Sequence, residues 1–257
     1  MKKVAFFVDK IVCGDAKSVL GPSTVTLEDG RIVSIAAGRI SGALDFSGCT
    51  LLPGFIDTHV HLSIFCDEYQ ADLFRLSKEE RALKTLLNAQ RMLRAGFTTL
   101  RSAGDADATG AASLEIGRLV EKKLLVAPRI CGAAHYISIT GGGGDVNAFP
   151  GRCCTPDGIV ADGPNEMRSA VRREIKSGGD WIKILATGAF LASSKQDSPD
   201  NTHFSKEELD AVMDESKRRG IPVMAHAHGA RGIELCAKAG VRSIEHALVG
   251  FLWFGLV

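Results

Sequence analysis

From Leu51 to His246 the chain repeats one pattern, a strand-length apolar run followed by a helix-length segment. The runs are Leu51–Ile56 with its polar extension to His61, Thr98–Ser102, Arg129–Ala134, Trp181–Ala186, Pro222–His226 and Ser243–His246. Between them lie helical segments at Lys78–Ala95, Ala111–Lys123, Pro164–Ser177, Lys206–Arg219 and Gly232–Ala239. Strands alternating with helices predict parallel βα units, because parallel neighbours need a crossover long enough to hold a helix. Six such steps predict an α/β fold of the (β/α)8 TIM-barrel type rather than an open sheet. Only Ala247–Val257 follows, an apolar stretch too short for two more strands and helices. The expected barrel therefore lacks about its last two strands, as a truncation or a shifted frame after His246 would leave it. Open edges at the first and sixth strands predict aggregation, or assembly with a second copy as a homo-oligomer.

Residues 1–50 have a different character. Val4–Val8, Thr24–Leu27, Arg31–Ala36 and Ala43–Phe46 are short strand candidates separated by turns such as Glu28-Asp29-Gly30. They predict a small antiparallel β-unit, giving a division into residues 1–50 and 51–257. With 45% hydrophobic residues in 257 there is material for a large core. A net charge of +1 gives no electrostatic reason to expect nucleic acid or an anionic membrane as partner. Seven cysteines, an odd number scattered apart from Cys153–Cys154, form no CxxC spacing and favour a reducing compartment. Asp9 cuts short the apolar opening, so no signal peptide is expected, no segment is long enough to span a bilayer, and a cytoplasmic location follows.

In a parallel barrel the functional side chains collect at the C-terminal strand ends. Those ends carry His59 and His61, Asp105, His135, Lys183, His226 with His228, and His246. Residues two apart on a strand share a face, so His59 and His61 project together, as do His226 and His228. An HxH alone equally suits a polar strand edge; several histidines at one mouth point to a borderline divalent metal such as zinc. Lys183 sits between Ile182 and Ile184, where an uncompensated ammonium is costly. It must be paired, with Asp105 or Glu245, or neutralised, or modified; carbamylated, it would bridge two metal ions. The loop from Thr140 to about Gly163 is too long for a plain connector and is expected to fold over a site, with His135 and Tyr136 lining the same mouth.

The motifs LLPGFIDTHVHL, GFTTLRSAGD, WIKILATG, VMAHAHG and SIEHALVG together resemble the amidohydrolase superfamily, and within it the imidazolonepropionase-like and prolidase-like dipeptidase group. The resemblance runs from about Val4 to Gly250. It implies a distorted (β/α)8 barrel, a small β-sandwich to which residues 1–50 contribute, and a centre of two zinc ions, with manganese, iron, cobalt and nickel also suited to such ligands. Carried over by position, His59, His61, His226 and His246 are metal ligands and carbamylated Lys183 is the bridge. Spacing alone cannot separate His226 from His228; the resemblance makes His226 the ligand and His228 a substrate-contacting, catalytic residue, with His135 and Tyr136 as further substrate contacts. The implied activity is hydrolysis of an amide C–N bond in a dipeptide-like or cyclic amide small molecule. Two departures stand out: Gly141–Gly144 lacks the histidine common in that loop, and no residue here matches the aspartate expected on strand eight. The alternative is a catalytically silent fragment that retains at most metal or ligand binding.

Overall fold

A computed structural model of the chain describes residues 3–15, 17–65, 69–146, 156–190 and 197–248. Cys153–Cys154, much of the long loop and the tail beyond Leu248 lie outside the described residues. The chain divides into two compact units, Met1–Phe55 and Ile56–Val257.

In the first unit β1 (Lys3–Val12) is central, followed by β2 (Val19–Leu20), β3 (Ser23–Glu28), β4 (Arg31–Ala37) and β5 (Leu44–Leu51). β1 pairs antiparallel with β2 and β3, and β3 pairs antiparallel with β4. The expected all-antiparallel unit needs correction, because β5 returns parallel to β1, with Phe6 opposite Leu44 and Val8 opposite Phe46. A hairpin turn cannot place β5 there, so the chain crosses over from β4 through residues 38–43. Val8, Ile11 and Val25 form the small core.

The second unit holds β6 (Phe55–Val60) from Ile56 onward, then α1 (Tyr69–Arg75), α2 (Lys78–Arg94), β7 (Phe97–Ala103), α3 (Ala112–Glu121), β8 (Arg129–Ala133) and β9 (Tyr136–Ser138). After these come β10 (Ile159–Val160), α4 (Gly163–Lys176), β11 (Ile182–Leu185), α5 (Lys206–Arg218), β12 (Val223–Ala227), α6 (Ala230–Ala239) and β13 (Ser243–His246). Neighbours follow chain order, β6–β7–β8 and β9–β11–β12–β13, with β10 on the free side of β9. The pairs β7–β8, β9–β11, β11–β12 and β12–β13 are all parallel. β8 and β9 are two halves of one strand bent at Ala134–His135, so the third strand serves β7 with one half and β11 with the other. The expected βα rhythm is thus present, with α1 as an addition that the apolar periodicity did not signal.

Two local expectations change. Leu51 ends β5, and Pro53, lacking an N–H, separates it from β6. Phe55 and Ile56 are exposed rather than buried, since β6 has β7 as its sheet neighbour on one side only. On α2 the exposed residues include Leu83 and Leu87, whereas Arg81, Thr85 and Ala89 are buried. Arg81 is drawn inward by Asp107 and by the carbonyls of Leu73 and Leu76. The buried side of the helix therefore carries Arg81, Thr85 and Ala89, with Leu86 packed beside them and Leu83 and Leu87 turned outward.

The same four residues, Ser-Lys-Glu-Glu, open α2 at Ser77 and α5 at Ser205, each forming a reciprocal capping box with the third residue on. The main core packs Ile182, Ile184, Val223 and Ala225 against Met167 and Val171 of α4 and Leu209 and Val212 of α5. Because strand side chains alternate, Ile182 and Ile184 facing the helices leave Lys183 on the opposite face.

Gly132 holds β8 against β7 at a backbone approach no side chain tolerates. Its φ is +135°, and a Cβ there would lie 2.1 Å from the Ser102 carbonyl oxygen. Gly132→Ala combines backbone strain with overpacking and should cost about 3 kcal/mol or more. Urea denaturation checks this; a midpoint equal to the parent's would contradict the geometry.

Candidate metal centre

β6 ends by placing His59 and His61 side by side, ring centres 5.2 Å apart. β12 places His226 and His228 4.5 Å apart, and β13 contributes His246. His246 lies 4.6 Å from His59, 4.9 Å from His226 and 5.1 Å from His228, joining the strand ends into one group of five imidazoles. The Tyr136 ring adjoins it, edge-on to His61 at 5.9 Å.

Hydrogen bonds fix which nitrogen each ring can offer. His61 Nδ1 donates to the Gly104 carbonyl at 2.8 Å, so Nε2 keeps its lone pair. His59 Nδ1 donates to Glu245 Oε2 at 2.6 Å, with the same consequence. His226 instead donates from Nε2 to the Gly188 carbonyl at 3.1 Å and keeps Nδ1 free. Metal-binding histidines are commonly oriented by such partners. Burial, then the Lys183 charge, lowers His61 to about 3 and His226 to about 2. Burial, then His59 and Lys183, lowers His246 to about 4. All three are neutral at pH 7, as metal ligation requires.

Lys183 is completely buried, and its amine has no hydrogen-bond partner among the described residues. Burial pulls it down to about 7, opposed by Glu245 and reinforced by Arg101. Of its two expected acid partners, Asp105 is engaged elsewhere: it accepts from the Ser113 amide at 2.8 Å and from the Ser113 hydroxyl. Glu245 acts on Lys183 through its field, while accepting from His59, from Arg101 Nη2 at 2.8 Å and from Ser243 Oγ at 2.5 Å. The orphaned amine and the free imidazole lone pairs suit a divalent cation. The group is open: among the described residues no three His, Cys, Asp or Glu side chains form a ready-made metal cage.

His135 is placed differently. Its backbone N–H and its Nδ1 donate to the two carboxylate oxygens of Glu174 on α4, both at 2.7 Å. Among the described residues no ring contact joins His135 to the five imidazoles. The glycine loop closes locally, with Asp145 accepting from the Gly141 and Val146 amides. Sequence reasoning missed Arg101 and the carbonyls of Gly104 and Gly188, and weighed Glu245 only as a partner for Lys183. Backbone carbonyls carry no sequence signal. Arg101 does, as the one charged residue of β7, FTTLRSA.

The amidohydrolase family profile matches residues 50–250. The chain belongs to the amidohydrolase family. That family is built on a TIM-type barrel and is generally metal-dependent. The chain is 30% identical over 213 residues to the ochratoxinase of Aspergillus niger, covering 76% of this chain and 43% of that protein. It matches the crystal structure of a Xaa-Pro dipeptidase with methionine bound in its active site at 34% identity and a TM-score of 0.82, covering 95% of this chain and 61% of that one. A prolidase structure complexed with N-methylphosphonate-L-proline matches at 31% identity and a TM-score of 0.79, covering 96% and 61%. This amidohydrolase chain therefore spans less than half the length of the ochratoxinase and about three-fifths of the two solved chains. Among the described residues, no helix is long and apolar enough to cross a membrane.

Proposed function

We propose that the chain is a metal-dependent hydrolase of an amide C–N bond in a dipeptide-like or cyclic amide small molecule. The observation that carries this reading is a buried lysine amine, unpartnered among the described residues, set among imidazoles that are neutral at pH 7. His59, His61, His226 and His246 would hold two divalent ions, zinc by the chemistry of the donor set, with Lys183 between them. Such ions, when bound, would supply a water of lowered pKa and polarisation of the substrate carbonyl.

Lys183 contributes through its lowered basicity. Near neutral pH a substantial fraction is free amine, which adds to carbon dioxide; a nitrogen–carbon bond forms, one proton leaves to solvent, and a carbamate anion results. That anion would replace an orphaned amine with a carboxylate able to hold a divalent ion. His228 has a buried Nδ1 without a partner among the described residues, which suits a contact to a substrate carbonyl or carboxylate. Tyr136 would line the same mouth, whereas His135, held by Glu174, is better suited to fixing the third strand against α4. The same reading takes the second unit as six strands of an eight-stranded barrel and residues 1–50 as part of a small β-sandwich.

A second reading, binding of metal or ligand without turnover, rests on Glu245. Among the described residues it is the carboxylate touching the imidazole group, and its three donors leave it poorly placed to take a proton from water. Elemental analysis followed by assay separates the two. The hydrolase reading expects about two zinc ions per chain, cleavage of Xaa-Pro and related dipeptides or of cyclic amides, and loss of cleavage on chelation or in Lys183→Ala. Bound metal without cleavage by the parent chain selects the second reading, and no bound metal rejects the hydrolase reading.

A further inference from the structure

Resting on the hydrolase reading, we propose that Phe190 is a specificity-determining residue that selects substrates with an apolar, uncharged group beside the scissile amide. Phe190 follows β11 by five residues and is 62% exposed. Among the other exposed apolar side chains of the second unit, Leu83, Leu87 and Leu124 lie on helices or helix ends, while Leu248 also follows a strand end, two residues beyond β13. Single exposed hydrophobes are ordinary; this one is set apart by what its ring touches. Its ring stands edge-on to His228 with centres 4.8 Å apart, and His228 stacks on His246 with an interplanar angle of 25°. Phe190, His228 and His246 thus form a ladder of rings leading from solvent into the imidazole group.

The ladder has two kinds of rung. His228 offers a polar edge, with Nδ1 unpartnered among the described residues, while Phe190 offers only an apolar face. A ligand whose carbonyl or carboxylate meets His228 would carry its neighbouring side chain onto Phe190. Covering that ring removes apolar area from water on both partners, so an aromatic or branched aliphatic group gains. A charged group would be desolvated against the ring with no hydrogen-bonding partner from it, and so loses. One such contact discriminates by about tenfold.

The test is calorimetric binding of L-phenylalanine, L-leucine, glycine and L-aspartate to the purified chain and to Phe190→Ala and Phe190→Leu. Substitution at so exposed a side chain is expected to leave the fold intact, which thermal denaturation verifies. The proposal expects phenylalanine and leucine to bind about tenfold more tightly than glycine or aspartate, with the gap closing in Phe190→Ala and mostly surviving in Phe190→Leu. Equal affinities in the parent, binding of none of the four, or a gap that survives in Phe190→Ala would overturn it. Binding needs no turnover, so a chain that hydrolyses nothing yet shows the gap counts against the hydrolase reading and leaves the selectivity standing.

Discussion

Lys183→Met is expected to be more stable than its parent in the metal-free state, and unable to hydrolyse any substrate the parent accepts. The two outcomes have one cause. A completely buried amine without a hydrogen-bond partner among the described residues is a cost to the fold, and an unsatisfied polar group of this kind costs about 1–3 kcal/mol. Methionine has nearly the same length, fills the same space and has no proton to desolvate. The pH dependence identifies the cause. Lys183 falls from an ordinary value of 10.5 to about 7, so the unfolded chain binds this proton more tightly than the folded one. Parental stability is therefore penalised fully below about pH 7, recovers at up to about 1.4 kcal/mol per pH unit as pH rises toward 10.5, and carries no penalty above that. Methionine has no such slope. The difference between the urea midpoints of the two proteins should be largest at about pH 7 and below and shrink as pH rises toward about 10.5. A gap that does not change with pH, or a less stable variant, would show that Lys183 is paired in solution.

How much of this was legible in the letters depends on how local the cause is. The alternation of strands and helices follows from runs of apolar residues, and β13 has the limits expected for it, Ser243–His246, both of its end residues being polar. Lys183 was legible because a charge between two isoleucines has no ordinary explanation. Glu245 was not. Adjacent strand residues point to opposite faces, so Glu245 and His246 read as belonging to different layers. In the folded chain His246 has φ +72°, a left-handed conformation unusual for a non-glycine residue. There the strand rule lapses, and both residues reach His59, one by ring contact and one by hydrogen bond. The parallel return of β5 and the inward turn of Arg81 on α2 were hidden for a related reason. Each depends on a partner distant in sequence, β1 for the first and Asp107 for the second. Backbone strain concentrated at His246 and Ala247 falls where the imidazoles converge, where functional sites commonly store it.

Glu245 supplies the other large expected effect. Its carboxylate is buried and takes three donors: His59 Nδ1 at 2.6 Å, Arg101 Nη2 at 2.8 Å and Ser243 Oγ at 2.5 Å. Burial alone would raise its pKa. Hydrogen bonds from His59 and Ser243, with the charges of Arg101 and Lys183, overcome that and hold it at about 2, below the usual 4.5. The contribution to stability is thus present above about pH 4.5 and lost as pH falls through about 2. Glu245→Leu removes the acceptor but leaves the Arg101 guanidinium, which lies over the Trp181 ring and donates from Nε to the Thr58 carbonyl, without its counter-charge. Stranding one half of a buried pair costs about 3–5 kcal/mol. Glu245→Gln keeps an acceptor oxygen and loses only the charge, so it should fall between parent and Leu variant in urea midpoint at pH 7, and its midpoint should no longer drop between about pH 4.5 and 2 through this residue. Metal affinity gives an independent readout. With a weaker acceptor at Nδ1, His59 is held less firmly with its Nε2 lone pair toward the other imidazoles, and loss of such a partner weakens zinc binding by about 10- to 100-fold. Zinc titration of the folded Gln variant measures that directly. An affinity equal to the parent's would mean that His59 is oriented by something other than Glu245, and that the carboxylate serves the fold through Arg101 alone.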